Sequence, residues 1–318
     1  MVRDVSFASH GETCTAWHLI GEGDAFAGER GRPCVVMAHG FSATKDSGLL
    51  PFADAFAEAG LDVLLFDYRC FGGSSGEPRQ LAWPRHHRED YRAAVDFARS
   101  LKGIDPGRTV LWGTSWSGGH VVYVAADDPR IAAVICQAPD LDGVKTLKRI
   151  REYAGLAQQL RLTWLGMRDA LGSLAERPPL MLPAVAPPGE LGGLTTEESE
   201  PGMRAIAGPT WRNEFTARAA FAEWTNRAIT RIDRVRCPIL IQIADRDSVT
   251  PAAAARAAAW RAKGRVEVRE YPCAHFDIYL DWRERAIADQ LHFLRRHLGA
   301  AGGEGAGRRE SPAAAAAD

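Results

Sequence analysis

Three residues placed just after apolar runs could together do chemistry: Ser115 in GTSWSGG (113–119), Asp247 in ADRDSVTP and His275 in CAHFDIY. A serine hydroxyl is a poor nucleophile near neutral pH. It needs an imidazole to take its proton, and the imidazole needs a carboxylate to fix its tautomer and stabilise its charge. The chemistry such a set performs is acyl transfer. The stretch at 113–119 offers two serines, Ser115 and Ser117. A nucleophile on a strand-to-helix turn needs small flanking side chains, because the turn is tight. Gly113 closes the apolar run TVLW and puts Thr114-Ser115-Trp116 at the turn. The other register would force bulky Trp116 into the position before the nucleophile. Sterics therefore select Ser115 and leave Ser117 as a small packing residue under the following helix. The acid has two candidates, Asp245 and Asp247, and nine histidines compete for the base. His86, His87, His292 and His297 lie in helical, mixed-charge segments and are expected at the surface. His120 is expected in or near the core, and His275 alone falls in a loop after the last strand-like run. A further point, AHGF (38–41), follows an apolar run where the chain turns sharply, and a backbone N–H freed there can face a developing oxyanion.

The elements that must position these residues alternate between short β-rich runs and longer helical patterns. Residues 2–8 and 12–20 read as a hairpin around His10-Gly11. Strands are predicted at 34–40, 62–69, 109–113, 131–139, 237–245 and 266–273, and helices at 47–60, 84–102, 116–126, 251–262 and 280–298. Continuous apolar strands alternating with helices imply an α/β fold, with a mostly parallel central sheet covered by helices on both faces. Ser115, Asp247 and His275 would all sit past the C-terminal ends of strands, where open α/β sheets hold their ligands. Residues 140–235 interrupt the pattern. They lack a convincing strand and carry Trp164, Met167, Trp211, Phe215, Phe221 and Trp224 among helical segments, with a proline-rich crossing at RPPLMLPAVAPPGELGG. The expectation is a core over 1–298 with 140–235 inserted as a helical lid, and a disordered tail over 299–318, where only Gly, Ala and polar residues remain.

Composition narrows the class. The chain has 318 residues, 46% of them hydrophobic, enough to bury a large core. A net charge of −1 gives no electrostatic case for nucleic acid or an anionic membrane. Six scattered cysteines form no C-x-x-C pair and several fall within apolar runs, so reduced, buried thiols are expected. The start MVRDVSFASHG lacks the apolar stretch of a signal peptide, and no apolar run approaches 18 residues, so a cytoplasmic protein without membrane insertion is expected.

VVMAHGF, VLLFDYRCFGGSSGEPR, VLWGTSWSGGH, ILIQIADRDSVTP and CAHFDIY together resemble the α/β-hydrolase superfamily, and within it bacterial esterase-like hydrolases related to dienelactone hydrolase, of the FrsA/YcjY-like kind. The likeness covers roughly residues 2–140 and 236–298. It implies the chain order Ser, Asp, His for the triad, and an acid about four residues before a proline, which selects Asp247. It also implies oxyanion-hole donors at the backbone N–H of Phe41 and Trp116, a structural His39, and no metal or organic cofactor. Cys70 stands where such sequences usually carry glycine, and Asp277 is expected in its own loop's hydrogen bonding. The implied activity is hydrolysis of a carboxylic ester through an acyl-enzyme, on a small-molecule ester or thioester, and the aromatic insertion suggests one that is sizeable and partly apolar. A thioesterase, acyltransferase or cyclase using the same triad is the alternative, and a non-catalytic binding scaffold a third reading. The oligomeric state is left open, a homodimer included.

Overall fold

The computed structural model describes residues 1–299 except Arg265; the expected tail, apart from Gly299, lies outside them. Ten strands and seven α-helices follow in chain order: β1 (Val2–Ser9), β2 (Glu12–Leu19), β3 (Arg32–Ala38), α1 (Leu50–Glu58), β4 (Asp62–Phe66), α2 (Pro84–Ser100), β5 (Ile104–Thr114), α3 (Trp116–Asp127), β6 (Ile131–Gln137), α4 (Gly143–Leu174), β7 (Met181–Leu182), α5 (Ser199–Ile206), β8 (Phe215–Thr216), β9 (Ile239–Ala244), α6 (Ala252–Arg261), β10 (Val266–Tyr271) and α7 (Arg283–Leu298). Eight strands form the central sheet in the order β1-β2-β4-β3-β5-β6-β9-β10. The β1–β2 and β2–β4 pairs are antiparallel and all the others parallel. The α/β class and the mostly parallel sheet are those read from the sequence.

The central strands β3, β4, β5 and β6 carry the unbroken apolar runs CVVMA, VLLF, VLW and IAAVIC because helices bury both their faces. One apolar layer carries Val36, Leu64, Leu111 and Val134 beneath α2 and α3; the other carries Val35, Val63, Val110 and Ile135 beneath α1 and α7. On α2, Pro84 at the first helical position and buried His87, Tyr91, Ala94 and Ala98 mark one stripe at helical spacing. His87 is therefore not a surface group. Its place on that stripe outweighs the charged residues around it, and its ring stacks on Tyr68 at 3.7 Å. Burial pushes its imidazole well below the ordinary range. Strand β5 is longer than 109–113. Ile104 pairs with Arg32, the chain then bulges through Pro106 and Gly107, and pairing resumes at Thr109–Cys34. The predicted strand held only the part of β5 after this bulge.

Between β6 and β9 the inserted segment folds as α4, α5, four short 3-10 turns and the two-residue pair β7–β8. That pair is the strand content the sequence reading missed, too short to show an alternation. Helix α4 changes direction at Gly155, whose φ of 82° is left-handed.

A buried amide ladder ties the layers together under the sheet's C-terminal edge. Gln290 of α7 donates to Gln137 of β6 at 2.9 Å and to Gln242 of β9 at 2.5 Å, and accepts from Trp112 Nε1 of β5 at 3.1 Å. Thr114, at the end of β5, is hydrogen-bonded to Tyr279 OH. These contacts fix the strand ends that carry the candidate residues.

Candidate active site

The turn after β5 starts with Gly113, where a Cβ would lie 2.4 Å from the Ser117 carbonyl oxygen. Only glycine lets α3 fold back this closely on its strand. Ser115 sits at the apex with φ 53° and ψ −123°, a conformation that costs a non-glycine residue about 1–3 kcal/mol. Backbone bonds hold it there: Ser115 N–H donates to Gln137 O at 2.8 Å, and Ser115 O accepts from Gly118 N–H at 3.0 Å and Asp140 N–H at 2.8 Å. The strained turn presents Ser115 to two adjoining cavities.

Ser117 lies elsewhere. It is wholly buried and lines neither cavity. Its Oγ accepts from Thr114 N–H at 2.8 Å and donates toward Ala38 O at 3.0 Å and Thr114 O at 2.9 Å. It is thus more than a packing residue, because it pins the Ser115 turn to the end of β3. Removing one partner from buried polar groups costs about 1–3 kcal/mol. Ser117→Ala is expected to lower unfolding free energy by about that amount while Ser115 keeps its reactivity. Denaturant unfolding and fluorophosphonate labelling measure the two effects separately.

The structure brings Asp247 and His275 together. His275 Nδ1–H donates to Asp247 Oδ2 at 2.6 Å, with both side chains buried. Asp247 Oδ1 accepts from the N–H groups of Val249 and Thr250 at 2.7 and 2.6 Å, and Oδ2 from Thr250 Oγ1 at 2.7 Å. Burial pushes the His275 imidazole toward its neutral form. The charge and hydrogen bond of Asp247 more than offset that, with Glu198 and Asp140 adding to them, so the group titrates above its ordinary 6.5. His275 and Ser115 line the same cavity. Asp245 is half-exposed and paired with Arg256. Asp277 accepts from Ala274 N–H at 2.8 Å and serves its own loop.

Gly40 passes so close to Ser115 that a Cβ would lie 3.0 Å from Ser115 Cβ. Phe41 follows it, and its N–H has no protein acceptor among the described residues. Trp116 is the first residue of α3, so its amide is one of the donors a helix start leaves unpaired. The Phe41 ring meets Trp116 and Phe215 edge-on at 5.6 and 5.1 Å. His39 is buried, with Nδ1 3.0 Å from Gly40 O, and braces the turn before Phe41. Cys70 lines neither cavity. Its φ of 72° is left-handed, which is why glycine suits the position, and burial pushes its thiol up to about 12. All six cysteines are free and buried.

Several residues around Ser115 and His275 were not singled out by sequence reasoning. Glu198, at the start of α5, accepts from Ser248 N–H at 2.9 Å and Phe276 N–H at 3.4 Å, joining the loops that carry Asp247 and His275. Nothing in the sequence marks one acid within TTEES. Asp140, Thr146 and Glu223 line the larger cavity. Asp140 stands just past the end of β6, so its strand-end position was a usable signal. Of the inserted aromatic and methionine residues, Phe215 lines that cavity, whereas Trp164, Met167 and Trp224 are 53%, 44% and 59% exposed and face solvent.

With this geometry the comparisons are specific. A family model described as serine aminopeptidase, S33, matches residues 29–281. The chain belongs to this family of α/β hydrolases. It is similar to the quorum-quenching protein AidA of Acinetobacter baumannii, 36% identical over 92% of this chain and 94% of that protein. It is also similar to the polyketide transferase af380 of Aspergillus fumigatus, 26% identical over 93% of this chain and 98% of that one. The crystal structure of the α/β hydrolase GrgF from a Penicillium species shares the fold, with a TM-score of 0.78 and 24% identity over 94% of this chain and 99% of that one. Membership makes this S33-family chain a catalytic hydrolase rather than a binding scaffold. Among the described residues, no helix is long and apolar enough to cross a membrane.

Proposed function

We propose that this enzyme cleaves a carboxylic ester through an acyl-enzyme intermediate on Ser115. His275 takes the Ser115 proton as the hydroxyl oxygen bonds to the ester carbonyl carbon. The Phe41 and Trp116 N–H groups hold the resulting oxyanion. As the intermediate collapses, the bond to the leaving alkoxide breaks and His275 returns the proton to it. Water then repeats the sequence and releases the acid, with His275 first as base and then as acid. Asp247 keeps the imidazole in the tautomer that these transfers need.

The observation that carries this reading is the buried 2.6 Å His275–Asp247 pair, with His275 in a cavity that a strained Ser115 also lines. Activated esters should be hydrolysed, and a fluorophosphonate should add one phosphonyl group to Ser115, located by peptide mass. Wild-type protein that neither cleaves esters nor takes the label would refute the proposal.

The relative named a polyketide transferase favours one second reading, in which an alcohol, amine or thiol replaces water in the deacylation step. The same chain of transfers delivers the acyl group to either acceptor. Incubation with water alone, and with added acceptor, separates the two by whether free acid or acylated acceptor accumulates.

A further inference from the structure

Two cavities meet at Ser115, Phe41 and Leu194 and differ in size and in the rest of their lining. One is bounded by the inserted segment and holds about 800 Å³ of empty space counted to its mouth; Leu147, Ile150, Leu162 and Phe215 give it an apolar wall. The other holds about 390 Å³ and lies between the start of α1 and α5, with Leu49, Met203 and Ile206 on its wall. His275 lines only the second.

Chemistry assigns the two. The tetrahedral intermediate has four substituents on one carbon: the Ser115 oxygen, the oxyanion, the acyl chain and the leaving group. The imidazole that took the serine proton must give it to the leaving oxygen, so the leaving group has to lie on the His275 side. The acyl chain is left with the direction away from His275. Resting on the ester-hydrolase reading above, we propose that the larger cavity under the inserted segment receives the acyl group, that the smaller cavity receives the leaving group, and that the acyl group is uncharged and mainly apolar.

The lack of charge follows from a second feature of the larger cavity. Asp140 and Glu223 both line it. Asp140 Oδ1 accepts from Thr146 Oγ1 at 2.8 Å, and Glu223 Oε2 accepts from Trp116 Nε1 at 2.7 Å. Glu223 Oε1 is out of contact with solvent and without a partner among the described residues. Among the described residues, no cationic side chain lines the cavity to neutralise these acids. Burial, and for Glu223 also the neighbouring Asp140 charge, raise both carboxyls, Glu223 well above its ordinary range. The chamber thus disfavours negative charge: Glu223 is driven toward its protonated form, leaving Asp140 as the one acid that can stay ionised, and a further carboxylate at the end of an acyl chain would be buried beside it with no cation to pair with. The same arrangement ties specificity to the oxyanion donor, because Glu223 holds the indole of Trp116.

Two ester series test the assignment. The first varies a straight acyl chain from acetyl to decanoyl on one p-nitrophenol leaving group. The second varies the alcohol from methyl to octyl on one acyl group. Ile150→Trp should lower the decanoyl-to-acetyl ratio of kcat/KM at least tenfold and leave the octyl-to-methyl ratio in place; Ile206→Trp should do the reverse. Leu147→Trp and Met203→Phe repeat the comparison should either first variant fail to fold. A monoester of a dicarboxylic acid should react at least tenfold more slowly than a neutral ester of the same length, and Asp140→Asn combined with Glu223→Gln should narrow that gap. If Ile150→Trp and Leu147→Trp change the alcohol preference instead, the cavity assignment is overturned while fluorophosphonate-reactive Ser115 still supports the ester-hydrolase reading. Equal rates for charged and neutral acyl chains would overturn the charge argument.

Discussion

Replacing Ser115 with alanine is expected to remove nearly all turnover, lowering kcat by on the order of 10⁶, and to abolish fluorophosphonate labelling. The loss is this large because the nucleophile, base and orienting acid act as one unit: without the serine oxygen, the imidazole has no proton to take and no acyl-enzyme forms. The oxyanion donors remain and can still help water attack bound ester, leaving on the order of 10³-fold acceleration over the uncatalysed reaction. Stability should change little, since alanine at φ 53° bears the same backbone strain as serine. The measurement is steady-state hydrolysis of an activated ester beside a thermal melt. A Ser115→Ala enzyme with near wild-type kcat would place the nucleophile elsewhere and overturn the proposed mechanism.

The choice between Ser115 and Ser117 also shows what the sequence carries and what it does not. Strand ends were legible because the parallel core needs unbroken apolar runs, and the residues just past TVLW, ILIQIAD and VEVREY fall where an open sheet leaves a crevice. Tight turns were legible through glycine: Gly113 and Gly40 are required by approaches of 2.4 and 3.0 Å. Contacts between distant segments were not. Glu198 meets the loops of Ser248 and Phe276 only after α5 has folded against them, and no local pattern encodes that meeting. His87 shows a different failure. Its neighbours Arg85, Arg88 and Glu89 suggest a surface helix, but the stripe of Tyr91, Ala94 and Ala98 places it inward. Spacing on a helix decides burial more firmly than the average polarity of the segment. The inserted segment was the least legible part, since its long helix leaves Leu160, Trp164 and Leu171 exposed while turning Leu147, Ile150 and Leu162 to the cavity. Both sets are apolar, and hydrophobicity alone does not say which one faces the substrate.

Asp247→Asn is the second large loss expected, with kcat lower by on the order of 10⁴ and a displaced pH profile. The carboxylate makes the proton on His275 Nδ1 the stable choice and stabilises the imidazolium that forms when Nε2 takes the serine proton. An asparagine side chain can instead donate to Nδ1, which puts the proton on the wrong ring nitrogen. The pH dependence separates this role from a merely structural one. As a base His275 must be neutral, so wild-type kcat/KM should fall as pH drops through a value above 6.5, the direction in which Asp247 moves the imidazole. Without the carboxylate charge, burial becomes the leading influence and pulls the group down, so the acid limb of the variant should move to lower pH. Folding stability gives an independent check with a defined sign. A histidine raised in the folded state adds stability that is fully present below its unfolded value near 6.5 and is lost as pH rises through its folded value. In Asp247→Asn that increment at low pH should disappear. Urea unfolding from pH 5 to 9 beside the kinetic profile measures both. A variant whose acid limb stays in place while kcat falls would mean that Asp247 acts on the fold of its loop rather than on the imidazole.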